Sequence, residues 1–360
     1  MKLPRITILA TLLLTAPAAA QLQITPPATT PSPAAEKQKP KAPPPAKKKE
    51  AAPAPKPSAS PKPAASPKPA LPATVIPAPP TDTPGVDLVF GAYQRGQYKT
   101  AFELATARAA TGDPKAMTML GELYSNAMGI RRDYAKALEW YKRASDAGDR
   151  EAMFALAMLR ISGRGGPVDK GEAVKLMASA AKLGEPKAAY NLALLYLDGQ
   201  TLPQDVKRSA ELLRQAADAG LPEAQYALAT FYKEGTGVPK DPERAVRLLQ
   251  AASLADNVDA EVEYAIAMFN GTGTLKNQPA AVALLRKASR QGSAIAQNRL
   301  AWVLINGMGA SADKIEGFKW HLVAKTAGKG DPELDKQLSD LPAEERSKAE
   351  AAAKKWLGTK

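Results

Sequence analysis

The stretch "GLPEAQYALATFYKEGTGVPKDPERAVRLLQAASLA", residues 220–255, decides the fold. At its centre, Gly235 to Asp241 ("GTGVPKD") has the form of a phosphate grip. Two glycines flank one residue, a basic residue follows, and a helix-like run comes next. Glycine-rich loops that feed a helix N-terminus do hold phosphates. Copy number argues otherwise. Gly112, Gly148, Gly184, Gly220, Asp256, Gly292 and Gly328 stand 36 residues apart with no insertion. Alanine follows four positions later at Ala116, Ala152, Ala188, Ala224, Ala260 and Ala296. A second set runs Ala144, Ala180, Ala216, Ala252, Ala288 and Ala324, and between the two lie Asp133, Asp169, Asp205, Asp241, Asn277 and Asp313. A phosphate site would be needed once. A place where a helical hairpin stops and restarts is needed in every unit.

Each column has a physical meaning. Pro114, Pro186 and Pro222 suit the first helical turn, where the missing N–H costs nothing. Gly163, Gly199, Gly235, Gly271 and Gly307 end the first helix, because glycine accepts the left-handed conformation. The Asp or Asn column caps the second helix, worth ~1 kcal/mol per cap. Asp169 with Glu172, and Asp313 with Glu316, have capping-box spacing. The fixed alanines let helix axes approach to the near end of the ~8–10 Å range. Larger residues fill the core in two further columns, Leu123 to Val303 and Trp140 to Trp320. No unit buries its apolar face alone, so neighbours must stack.

This pattern resembles the Sel1-like repeat, a relative of the tetratricopeptide repeat. "GEPKAAYNLALLYLDGQTLPQDVKRSAELLRQAADA" and the stretch quoted first carry the match. The resemblance implies an all-α fold: a right-handed α/α superhelical solenoid of six 36-residue repeats over 112–327 with helical caps. The units are 112–147, 148–183, 184–219, 220–255, 256–291 and 292–327. Two departures are local: Ala127 replaces the helix-ending glycine of the first unit, and Thr201 the second loop glycine of the third. Residues 86–111 read as a front helix pair turning at Gly96. Residues 328–360 read as the back cap, with Ala349, Ala353 and Trp356 on one face.

Columns that differ between repeats raise the functional question. One reads Met119, Ala155, Asn191, Ala227, Glu263, Arg299; the other, three residues on, reads Glu122, Met158, Leu194, Thr230, Ile266, Trp302. Spacing of three puts both on one helix face. The resemblance implies that first helices line a concave groove. Partner-binding candidates are therefore Glu122, Met158, Asn191, Leu194, Ile266, Arg299 and Trp302. In related solenoids an asparagine at the Asn191 position hydrogen-bonds a bound peptide's backbone; contact with water or a neighbouring helix is the plainer reading. Met158, Leu194, Ile266 and Trp302 would form an adaptable apolar track, or else pack between repeats.

Composition sets the remaining bounds. The 360 residues carry a net charge of +13, no cysteine and one histidine, His321. Disulfides, thiolate metal sites and multi-histidine centres are excluded. The start, "MKLPRITILATLLLTAPAAAQ", has basic Lys2 and Arg5, an apolar run to Ala16, and a small-residue cleavage site before Gln21. Residues 1–20 read as a cleavable secretory signal and the chain as periplasmic or secreted. An uncleaved inner-membrane anchor on an envelope-spanning spacer is the alternative, and the mass of the mature N-terminus separates the two. Residues 21–85 hold 20 of the 32 prolines and nine lysines. They read as an extended, disordered spacer, or as an adhesive for an anionic envelope surface. Without them, Lys2 and Arg5, the net charge is only +5, which argues against nucleic acid as a partner. The expectation is a monomeric, non-catalytic scaffold for a peptide or protein, with no cofactor; the resemblance to Sel1-like proteins implies an adaptor of the class that serves envelope assembly, polysaccharide secretion or sensor control. A cell-wall or β-lactam-related enzyme is the rival. The Sel1-like proteins tied to that chemistry rely on disulfides, which this chain cannot make.

Overall fold

The computed structural model describes residues 87–358. The expected signal peptide, the proline-rich spacer and residue 86 lie outside the described residues, as do 359 and 360. Sixteen α-helices and no strand occupy the described part. A front pair, α1 (Leu88–Gln94) and α2 (Tyr98–Ala110), turns at Gly96, whose φ is +74°. Three repeats follow as α3 (Pro114–Asn126) with α4 (Tyr134–Asp146), α5 (Arg150–Ser162) with α6 (Lys170–Lys182), and α7 (Pro186–Asp198) with α8 (Val206–Asp218). Three more are α9 (Pro222–Glu234) with α10 (Pro242–Leu254), α11 (Val258–Asn270) with α12 (Gln278–Arg290), and α13 (Ala294–Ile305) with α14 (Lys314–Thr326). The back cap is α15 (Pro332–Ser339) and α16 (Ala343–Gly358). Through the six repeats each helix packs chiefly on those before and after it in sequence, so the pairs form an α/α solenoid.

Both alanine columns are buried in all six repeats. Between them sit the largest sealed side chains, among them Leu123, Leu213, Phe231 and Leu300. Small residues at fixed places let the helices close up, and large ones beside them fill the space left over.

The caps also recur. Oδ1 of Asp133, Asp169, Asp205, Asp241, Asn277 and Asp313 accepts from the backbone N–H three residues on, at 2.9–3.1 Å. The backbone N–H of each capping residue donates to a carbonyl nine residues earlier. The six bonds run from Asp133 to Tyr124, Asp169 to Arg160, Asp205 to Tyr196, Asp241 to Tyr232, Asn277 to Met268 and Asp313 to Leu304. Each hairpin loop is thus stapled to its own first helix. This corrects the capping-box reading, because the donor that Glu172 and Glu316 would have received is already taken. Glu316 instead accepts from Trp320 Nε1 at 2.8 Å, and Glu172 lies 3.9 Å from Arg160 Nε. First helices carry caps that the sequence reading overlooked, at Asp113, Asp149, Glu185, Asn257 and Ser293. Leu221 occupies the same place without a cap and packs on the core instead.

Most loops use glycine at two places, for different reasons. Gly163, Gly199, Gly235 and Gly271 close the first helix at φ between +64° and +83°. Two residues later, Gly237 at φ +66° faces the preceding repeat, where a Cβ would lie 2.6 Å from the Val206 carbonyl oxygen. Gly165 and Gly273 meet Tyr134 and Pro242 in the same way. The "GTG" motif is a helix stop followed by a contact between repeats. In the first repeat Ala127 is forced into the left-handed region at φ 57°. That conformation costs a residue with a Cβ ~1–2 kcal/mol. Ala127→Gly is therefore expected to raise stability by about 1 kcal/mol, part of the relief being offset by glycine's greater unfolded-state freedom. Urea unfolding checks this, and a midpoint below that of the parent chain would refute it.

Candidate partner-binding face

The face away from the core can be followed along α9. Glu223, Tyr226, Thr230 and Glu234 are spaced three, four and four residues apart, which aligns them on one side of a helix. All four are exposed or half-buried. On the equivalent stripe of α5 and α7 lie Phe154, Met158, Tyr190, Asn191 and Leu194, all half-buried.

The seven residues singled out from the sequence fall into three groups. Met158, Asn191 and Leu194 keep exposed surface in the second and third repeats. Asn191 Nδ2 donates to the Lys187 carbonyl at 2.8 Å, one turn back on its own helix. Its Oδ1 remains as the atom able to accept from a partner. Glu122 and Trp302 instead tie the ends. Glu122 Oε1 accepts from the Tyr93 hydroxyl at 2.7 Å, joining the front cap to the first repeat. Burial, and then Glu122, push the Tyr93 phenol well above its usual range. Trp302 Nε1 donates to Asp331 Oδ2 at 2.8 Å, so it holds the residue that caps α15. Ile266 and Arg299 form the third group. Ile266 is only 7% exposed and packs in the core with Val262 and Phe269, so it offers little surface. Arg299 is half-buried, and burial lowers its guanidinium from the usual value against the opposing pull of Glu263 and Asp331.

Sequence reasoning missed the aromatic run Phe154, Tyr190 and Tyr226, which occupies one column in three successive repeats. Recurrence of a large ring at a half-exposed position was the available signal.

No cluster of three metal-ligating side chains occurs among the described residues. His321 is fully buried on α14, with Nε2 2.8 Å from Asp335 Oδ1, and Lys325 Nζ reaches the same oxygen at 2.7 Å. Lys325, and then His321, hold the Asp335 carboxyl below the usual range. The three side chains clasp α15 to α14. No described helix is long and apolar enough to cross a membrane.

The Sel1 repeat family matches residues 114–149, 150–185, 186–221, 222–257, 258–293 and 294–329. The chain is a Sel1-repeat protein. Those boundaries place each Sel1 unit two residues later than the leading glycines suggest, at the first residue of helix rather than at the turn. A protective antigen of uropathogenic Escherichia coli displaying an SLR fold superposes with a TM-score of 0.64 at 23% identity, covering 74% of this chain. This Sel1-repeat chain spans 60% of that antigen's length, and the likeness concerns the fold alone. A Sel1 repeat protein from Oxalobacter formigenes gives a TM-score of 0.60 at 27% identity, covering 66% of this chain and 98% of its own. No curated protein matches the chain at a significant level. Sel1-repeat proteins are generally scaffolds for protein interaction.

Proposed function

We propose that this Sel1-repeat chain is an exported, non-catalytic adaptor that holds a peptide or protein partner on its first-helix face. The observation that carries this reading is the position of Met158, Asn191 and Leu194. They are half-exposed on successive first helices, while the alanine columns behind them are sealed. Two thioether or aliphatic side chains flanking an amide with a spare acceptor give an extended peptide both apolar contact and a backbone hydrogen bond. Glu122, Ile266, Arg299 and Trp302 extend the surface towards the caps, mainly by fixing its shape. Export rests on the Lys2/Arg5, apolar-run and alanine pattern of residues 1–20. Envelope assembly, polysaccharide secretion and sensor regulation are the settings such an adaptor would serve.

Asn191→Ala combined with Leu194→Glu is expected to abolish capture of the principal partner in pull-downs. The melting temperature should shift by no more than about 2 °C, since neither side chain fills the core. An unchanged capture profile would remove this face from consideration.

A further inference from the structure

The first hairpin loop, residues 127–133, and the turn of α4 that follows it carry side chains that no other repeat combines. Arg131, Arg132 and Lys136 stand where the next two repeats have Pro167, Val168 and Glu172, then Pro203, Gln204 and Arg208. No other repeat has three cations in these columns. With Tyr124, Ile130 and Asp133 the three line a cavity of about 420 Å³. That volume lies in the ~300–1,000 Å³ range of small-molecule sites. The walls are fixed. Ile130 packs on the cluster of Ala92, Ala101 and Leu123. The Asp133 N–H is stapled to the Tyr124 carbonyl at 3.1 Å. Gly129 lies so close to the start of α2 that a Cβ there would sit 2.7 Å from Tyr98 Cβ.

Positive charge at this cavity is uncompensated. Arg131, Arg132 and Lys136 are exposed and form no ion pair among the described residues. By contrast, Arg208 and Arg244, which hold the place of Lys136 in the third and fourth repeats, pair with Glu211 and Asp241. Lys136 Nζ instead lies 5.4 Å from the Tyr124 ring centre. Arg132 and, from the next loop, Arg164 rest on the same Tyr134 ring, with Cζ 5.8 and 5.5 Å from its centre. Arg164 likewise forms no ion pair among the described residues. Asp133 is the only carboxylate lining the cavity, and its Oδ1 is taken by the Lys136 backbone N–H at 3.0 Å. Two guanidiniums on one ring repel each other, and an anion held beside them offsets that repulsion.

We propose that this cavity binds a phosphate group, the chemistry that a soluble phosphate ester and a lipid phosphate headgroup share. Arg131 and Arg132 supply planar guanidinium forks, and Lys136 supplies a compact charge. A phosphate monoester carries close to two negative charges and three acceptor oxygens, so it satisfies several cations at once; a carboxylate carries one charge. Contact with the Tyr134 and Tyr124 rings restrains Arg132 and Lys136 before the ligand arrives, which lowers the cost of ordering them. The site belongs to the hairpin loop and does not depend on the first-helix face being a binding surface.

The test uses the full chain and isothermal titration calorimetry at low salt, with inorganic pyrophosphate as the probe and acetate as the carboxylate control. Pyrophosphate is expected to bind at least tenfold tighter than acetate. Arg131→Gln with Arg132→Gln should weaken pyrophosphate binding tenfold or more. The circular dichroism spectrum should not change, because both side chains are exposed. The whole chain is positive at +13, so a charge-matched control is needed. Lys175→Gln with Arg247→Gln removes the same charge from exposed positions on α6 and α10, and should leave binding within twofold of the parent. Co-sedimentation with phosphatidic acid vesicles, lost in the Arg131 and Arg132 double variant, would assign the phosphate to a lipid headgroup. Pyrophosphate binding without co-sedimentation would assign it to a soluble ester. Binding of neither phosphate probe, acetate affinity equal to that of pyrophosphate, full binding by the Arg131 and Arg132 variant, or equal losses in the two double variants overturns the proposal.

Discussion

Gly273→Ala will cost the solenoid about 2–5 kcal/mol. Two penalties combine. Gly273 sits at φ +70°, where a Cβ costs ~1–2 kcal/mol on backbone grounds alone. The added methyl would also run into the carbonyl of Pro242, the first residue of α10 in the preceding repeat. A backbone oxygen in a helix cannot swing away, so overpacking adds ~1–3 kcal/mol. Gly112→Ala is the control. Its φ is +89°, but a Cβ there meets nothing within 4 Å, so only the conformational cost applies. Urea unfolding of both variants separates the terms. Equal losses would show that the second loop glycine is a turn residue and not a spacer between repeats.

Trp356→Ala is expected to cost about 3 kcal/mol, the usual order for removing a large aromatic from a packed site. Trp356 on α16 packs edge-on against Trp320 on α14, with ring centroids 5.0 Å apart. Lys319 Nζ lies 4.4 Å from the Trp320 ring centre and 5.2 Å from that of Trp356. Ala349 and Ala353 on the same helix are buried beside them. Trp320 is only 3% exposed, and this face of it would become wet. A red shift in the remaining tryptophan emission should accompany the lost stability. Neither change appearing would mean that α16 does not seal the last repeat.

The fold was readable because its demands recur in every unit. A helix crossing needs a small residue in the same place each time, and a restart needs an Asp or Asn at a fixed offset. Ala216 and Asp241 therefore stand in unbroken columns. The cap column Asp113, Asp149, Glu185, Asn257 and Ser293 was equally visible but chemically mixed, and Leu221 interrupts it. The Glu172 and Glu316 boxes failed for a reason no spacing rule reveals, namely that the loop's own staple takes the N–H they needed. On the candidate face the sequence located the stripe without resolving its condition. Ile266 and Leu194 share a column, yet Ile266 is sealed by its surroundings while Leu194 stays open. Pairings such as Glu122 with Tyr93 and Trp302 with Asp331 join residues about a repeat apart, and they depend on side-chain direction, which a column of letters does not encode.

The loop staple at every hairpin has a mechanical consequence. Each hairpin secures its own turn, and the two alanine columns bind it only to the units on either side. A steady pull on the two termini would then meet a series of similar fasteners, not one barrier. Unravelling should start at whichever end is less firmly closed and advance in steps, each releasing one 36-residue unit. The length of chain gained per rupture would count the repeats one by one.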